Sequence, residues 1–402
     1  MRMRLVPPPK ARAFAVLALA AAVVFVGWWL KGARERTAGA VGGASATTAS
    51  LPPKPLWQTL PACSGMRQAP LAAETPHGDG PATCAVLDDV RRMLPLAGDA
   101  EADVLQAFRA SIEAAVTANP VPCAVALSRE LASATRCGLV YDAVAIRVVN
   151  GKGVPASLIA AEFLRPATCR WKLIAALREA ERAEATYVAT LLAMTVEADV
   201  DLRNAAWLTL GTLGRVAHVA AQADTVACID GVLANELEAS EGASLPILVG
   251  AAGNAGCEAC RPKLERLLAS EDARIRRPVV AAFRFLESAA DVETMCRVGR
   301  TDPDDTVRGS ATFALRHAKS AIPRRLECLY EIATEDAVER VGMDAVASLA
   351  ELVDGSELVV GTLVEIARET RHTKVRGEAI AVLRGHASDE AIRAALEAPA
   401  GE

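Results

Sequence analysis

Residues 304–315 read Asp304-Asp305-Thr306-Val307-Arg308-Gly309-Ser310-Ala311-Thr312-Phe313-Ala314-Leu315. An aspartate ahead of a helix can accept a backbone N–H that has no partner within the first turn, so Asp304 reads as an N-cap. Val307, Ala311 and Leu315 then stand at i, i+4 and i+8, on one face of the helix that follows. The frame returns 34 residues later as Val341/Ala345/Leu349, and again as Val375/Ala379/Leu383. Upstream it recurs as Ile275/Val279/Phe283 and Leu202/Ala206/Leu210, with weaker copies at Ser244/Leu248/Ala252 and Cys169/Leu173/Leu177. Seven copies spaced 31–42 residues apart predict stacked helix pairs. One pair cannot bury its apolar stripe alone and must share it with its neighbours.

The pattern Asp-x-x-apolar-Arg at Asp199–Arg203, Asp272–Arg276 and Asp304–Arg308 resembles HEAT-like repeats, particularly those of the phycobilisome-lyase type. The resemblance runs over roughly residues 165–400 and implies an all-α fold, a HEAT-like α-solenoid over 166–400. It also implies a structural ladder through Asp199, Asp272, Asp304, Arg203, Arg276 and Arg308, joined by Arg376, which lacks its aspartate. The copy at 341 departs from the pattern, since Arg340 precedes Val341 and Gly342 takes the arginine slot. Residues 388–398 are predicted to close the array as a helix capped by Ser388, with Asp389 and Glu390 in its first turn. Residues 83–165 are helical in pattern but do not fit the frame. They read as a divergent start of the solenoid or as a separate helical cap.

Composition supports helices. Of 402 residues 52% are hydrophobic and only 4% aromatic, so the apolar content is mainly Ala, Val and Leu. Such a mix suits close-packed helices better than a β-sandwich, and it excludes wholesale disorder. The net charge of −5 conceals a split. Residues 1–36 hold seven basic residues against one acid, and the remaining chain carries eleven more acids than bases. A body with that balance is not expected to bind nucleic acid, which needs a Lys/Arg excess.

From Ala13 to Leu30 the chain runs eighteen residues without a charge. As a helix this stretch spans about 27 Å, close to the thickness of a bilayer core. Arg12 and Lys31 flank it, and Trp28 and Trp29 stand where an interfacial aromatic belt would lie. The first small-x-small cleavage candidate, Ala38-Gly39-Ala40, follows four charged residues beyond Leu30, too far for an ordinary signal peptide. The sequence therefore predicts a short basic tail over 1–12 and an uncleaved transmembrane anchor over 13–30. A flexible Ala/Gly/Pro-rich linker is expected over 31–82, with little regular structure before Thr83. Four basic residues before the anchor against three just after it favour an N-in orientation. The expected location is a bacterial inner membrane with the C-terminal body in the periplasm. Secretion after signal-peptide cleavage is the alternative.

Ten cysteines behind such an anchor suggest disulfides in an oxidising compartment. Cys228 and Cys260 are 32 residues apart, as are Cys296 and Cys328, close to one repeat, so each pair is a candidate staple between neighbours. Cys63–Cys84 and Cys123–Cys137 are candidate local pairs, with Cys137–Cys169 competing at the same 32-residue interval. Buried free thiols are the other reading. Cys257-Glu-Ala-Cys260 lacks a βαβ context, a following histidine and a companion CxxC, which leaves structural bonding as its expected role.

Nothing else in the chain spells chemistry. His77, His218, His317, His372 and His386 share no metal-ligand spacing. Asn150-Gly151-Lys152-Gly153 lacks the P-loop pattern and reads as a turn. No cofactor, metal or small-molecule substrate is therefore expected. The expectation is a non-enzymatic, membrane-tethered scaffold whose repeat groove takes a protein or peptide of the cell envelope. The alternatives are a lyase-like enzyme, on family resemblance alone, and a purely structural envelope component.

Overall fold

The computed structural model describes residues 58–67, 84–95, 102–163, 167–353 and 356–386. The anchor over 13–30, most of the linker and the closing helix over 388–398 lie outside the described residues. Nineteen α-helices and no strand occur among the described residues. They are α1 Ser64–Arg67, α2 Leu87–Met93, α3 Ala102–Ala118, α4 Pro120–Ser133, α5 Leu139–Val149 and α6 Ala156–Phe163. Next come α7 Arg170–Ala176, α8 Ala185–Met194, α9 Val200–Val219, α10 Ala223–Ala239, α11 Leu245–Ala255 and α12 Arg261–Leu268. The last seven are α13 Ala273–Ala282, α14 Ala289–Thr301, α15 Asp305–His317, α16 Ile322–Glu335, α17 Glu339–Ala350, α18 Glu357–Glu369 and α19 Thr373–Arg384. None of them is long and apolar enough to cross a membrane.

Local chemistry sets the helix ends. Asp199 accepts from the N–H groups of Asp201 and Leu202, and Asp304 from those of Thr306 and Val307. Ser288 and Asp291 satisfy each other's backbone donors in a capping box at the start of α14. Proline sits in the first turn of α4, α11, α12 and α16, where its missing N–H costs nothing.

From α3 onward the helices alternate between two rows. Each odd-numbered helix packs on the next odd one, from α3 through to α19 without a break. The frame residues supply the seam: Val307, Ala311 and Leu315 are fully buried, as are Val341, Ala345 and Leu349. Glycines let odd helices approach backbone to backbone. A Cβ on Gly211 of α9 would fall 2.2 Å from the Ala251 carbonyl oxygen of α11, and one on Gly253 would fall 2.5 Å from Ala282 Cα of α13. This arrangement is repeat-like and consistent with an α-solenoid. Residues 102–163, which did not fit the sequence frame, supply its first helices: α3 packs on α5 and α5 on α7, in the same alternation.

One linker expectation is corrected. Residues 58–67 are ordered against the body. A 3-10 turn over Pro61–Cys63 packs on α10, and α1 packs on α8, so the segment lies between two even-row helices. Its composition is rich in turn formers, but Cys63 and Met66 are apolar enough to be buried there, and both are.

Candidate functional site

Of the arginines expected in an Asp–Arg ladder, two, Arg276 and Arg308, pair with aspartates of the following repeat, and these are not the expected aspartates. Asp199, Asp272 and Asp304 are N-caps and pair with no arginine of a neighbouring repeat; Asp272 binds only the exposed Arg274 of its own helix. Arg276 of α13 instead forms a two-pronged pair with Asp302, Nε to Oδ2 and Nη2 to Oδ1 both at 2.8 Å. Arg308 of α15 does the same with Asp336, at 2.6 and 3.0 Å. Each guanidinium also donates to the turn before its own helix, Arg276 to the carbonyls of Ser270 and Glu271, Arg308 to that of Asp302. Burial pushes the Asp302 carboxyl up, but the hydrogen bonds from Arg276 and the Asp304 N–H outweigh it and hold the group below its ordinary range.

Asp302 and Asp336 went unnoticed in the sequence, although a signal for them is there. Each stands two residues ahead of a helix N-cap and accepts that residue's N–H, from Asp304 and Val338 respectively. Ser270 and Thr370 hold the same slot and accept from Asp272 and His372. Glu197 also holds it, two residues ahead of Asp199, and takes Arg170 of α7 at 3.3 Å. Arg203 and Arg376 find only carbonyls, Arg203 that of Glu197 and Arg376 those of Ala367 and Thr370. At Gly342 there is no rung because there is no room: a Cβ would lie 2.9 Å from Val375 Cγ2.

The cysteines are rearranged in the same way. All ten lie at disulfide distance from a partner, as Cys63/Cys228, Cys84/Cys123, Cys137/Cys169, Cys257/Cys260 and Cys296/Cys328. The expected pairs Cys63–Cys84, Cys123–Cys137 and Cys228–Cys260 are replaced. Docking of residues 58–67 brings the Cys63 Cα within 4.8 Å of that of Cys228, and Cys260 is left facing Cys257 across one turn. Cys84 then meets Cys123 on the first turn of α4, and Cys137 meets Cys169 at the head of α7. Cys296 and Cys328 sit on α14 and α16, one repeat apart in the even row.

A further cluster was not anticipated. At the C-terminal ends of odd helices, arginines and phenylalanines alternate in one strip. The Arg215 guanidinium of α9 lies 5.0 Å from the Phe285 ring centre, and Arg284 lies 5.0 Å from the same ring. Arg284 is also 6.0 Å from the Phe313 ring of α15, and Arg316 is 4.9 Å from it. His317 meets both rings edge-on, at 5.8 and 4.8 Å. Each arginine contact places a cation over the negative face of a ring, worth about 0.5–2 kcal/mol according to desolvation.

The ends of the strip are neutralised and its centre is not. Arg215 pairs with Glu287 at 2.9 Å and Arg316 with Glu351 at 2.5 Å. Arg284 donates to the Ala281 carbonyl and to the Asn254 side-chain oxygen, both uncharged. Among the described residues no carboxylate forms a salt bridge with it. Burial alone pulls the Arg284 guanidinium down to about 10. Burial first, then the charges of Arg316 and Arg284, push the His317 imidazole down to about 4, so it is neutral at physiological pH. Beside Arg215 an open depression of about 260 Å³ is lined by Ala180, Glu181, Val216, Val219 and Ala220.

Other sequence features resolve as structure. Asn150-Gly151-Lys152-Gly153 links α5 to α6, with Gly153 at φ 80° and the Asn150 amide donating to the Glu179 carbonyl. His372 contacts the Asp336 carbonyl, and His218 and His386 are exposed.

By its fold and side-chain rungs the chain is an all-helical, repeat-like protein. No family model and no curated protein matches it. A solved crystal structure described as an engineered protein is 17% identical, covering 77% of this chain and 97% of that one, with a TM-score of 0.34. A likeness that slight carries no argument about fold or activity.

Proposed function

We propose that this protein is a membrane-tethered, non-enzymatic binding scaffold built as a HEAT-like α-solenoid. The reading rests on one observation above others: the odd row is continuous from α3 to α19, each helix packed on the next. Arrays of this kind bind along an extended face, since each repeat adds surface without disturbing the rest. The tether is the helix expected over 13–30, which holds the body at the periplasmic side of the inner membrane and raises encounter frequency with an envelope protein or peptide. Ten cysteines in five pairs at disulfide distance favour an oxidising compartment.

Cross-linking of the full-length protein in its own membrane tests the scaffold. Recovery of one discrete partner is expected, and an empty result refutes it. Thiol titration of the native protein tests the compartment: no reactive thiol is expected before reduction, and ten would refute the periplasmic assignment.

A further inference from the structure

We propose that the arginine–phenylalanine strip across α9, α13 and α15 is a docking site for an acidic peptide segment, with Arg284 receiving a carboxylate of the partner. The inference rests on the scaffold reading and adds the chemistry of the partner. Charge complementarity carries it. The chain beyond residue 36 is net acidic, yet this strip brings together Arg215, Arg284, Arg316 and the exposed Lys319, which lies near Glu287, against Glu287 and Glu351, with Glu181 at the depression beside Arg215. The two flanking guanidiniums hold the two glutamates, so the uncompensated charge is the central one. A cation removed from water is costly unless an anion meets it.

Donor capacity agrees. A guanidinium has five N–H groups, and the two acceptors of Arg284 leave others for a ligand. The Nε of Arg316 is buried without a hydrogen-bond partner in the protein. Both phenylalanines and all three arginines are half-buried, so the strip is open to a partner as well as supported from below. The rings hold the guanidiniums in place, which lowers the entropy lost on binding. The depression beside Arg215 continues the strip with a largely aliphatic lining. The fitting ligand therefore carries a carboxylate for Arg284 and an apolar side chain near it.

Two measurements on the full-length protein in detergent test this. The first is fluorescence anisotropy with a labelled peptide repeating Glu-Glu-Phe-Gly, its Gln-Gln-Phe-Gly counterpart, and a single-stranded oligonucleotide. The acidic peptide is expected to bind at least about tenfold more tightly than the neutral one, the size of one lost charge-assisted hydrogen bond. Binding should weaken with salt and fall by a similar factor in Arg284→Gln. Lys319→Glu, an exposed change that leaves the packing intact, should weaken it too, and this keeps the test decisive if Arg284→Gln does not fold. Equal affinity for the two peptides, no binding of either, preference for the oligonucleotide, or indifference to Lys319→Glu would each overturn the proposal.

The second measurement separates this site from the scaffold. A photo-cross-linking amino acid replaces the exposed Val219 beside Arg215 or the exposed Val104 of α3, the first helix of the odd row. Capture of a partner from 219, lost in Arg284→Gln or Lys319→Glu, supports both. Capture from 104 alone overturns this site and leaves the scaffold standing, and capture from neither overturns both.

Discussion

Replacing Cys63 with serine should free residues 58–67 from the body while leaving the helix rows folded. The segment is held by the buried side chains of Cys63 and Met66, by its packing on α8 and α10, and by the Cys63–Cys228 link. That link spans 165 residues of sequence. Chain entropy for a loop of that length gives about 5 kcal/mol, at the top of the range seen for disulfides, where 2–4 kcal/mol is usual. Without the link the segment is held by little more than the burial of one methionine, about 1.5–3 kcal/mol. Ordering so short a stretch of backbone consumes most of that. Amide hydrogen exchange read by mass spectrometry is the assay, on peptides covering 58–67 and, as an internal control, α15. Protection of 58–67 should fall by about 30-fold to 1,000-fold, the equivalent of 2–4 kcal/mol, and by more than that of α15, which loses only what the whole fold loses. Cys228→Ser should reproduce the effect, and the double variant should add nothing to it. Unchanged protection in Cys63→Ser would refute the reasoning. So would non-reducing peptide mapping that joins Cys228 to Cys260.

Further outcomes follow from the packing and from the buried charges. Arg308→Ala leaves the carboxylate of Asp336, only 5% exposed, without its partner, and urea unfolding should register a loss of about 3–5 kcal/mol. Arg340→Ala, which removes an exposed pair with Asp305, should cost no more than about 1 kcal/mol. Gly211→Ala drives a methyl into the Ala251 carbonyl and should destabilise by at least about 1–3 kcal/mol. Gly361→Ala meets open space in α18 and should raise the melting temperature slightly through helix propensity. His317 is neutral in the folded state down to about pH 4, whereas an unfolded histidine takes a proton near pH 6.5. Its contribution to stability is intact above about pH 6.5 and is lost as pH falls from 6.5 towards 4. The loss is at most about 3 kcal/mol, and solvent at the partly exposed ring reduces it. His317→Gln should flatten stability over that window, and an unchanged slope in denaturant melts at pH 4.5, 5.5 and 6.5 would contradict the assignment.

What could be read in the linear chain was local. Helix starts are set by a side chain and the N–H groups two or three residues beyond it, so Asp304 identified itself as a cap, whereas Asp199 and Asp272, which also cap, were expected in the ladder instead. The apolar frame of a helix repeats every three or four residues, so the buried seam from Val307 to Leu315 was plain, and so was the break where Gly342 replaces arginine. Partners across the stack were not. Arg276 meets Asp302 twenty-six residues away because the helices between them fold back, and no local rule selects that aspartate over Asp272. Fixed 32-residue spacing placed Cys296 opposite Cys328, but it could not foresee that residues 58–67 would dock beside α10 and take Cys228 from Cys260. The arginine–phenylalanine strip gathers residues from 215 to 316, each unremarkable in its own helix. Only the stacking of α9, α11, α13 and α15 in one row brings their ends together, and burial there leaves one charge without a counter-ion among the described residues.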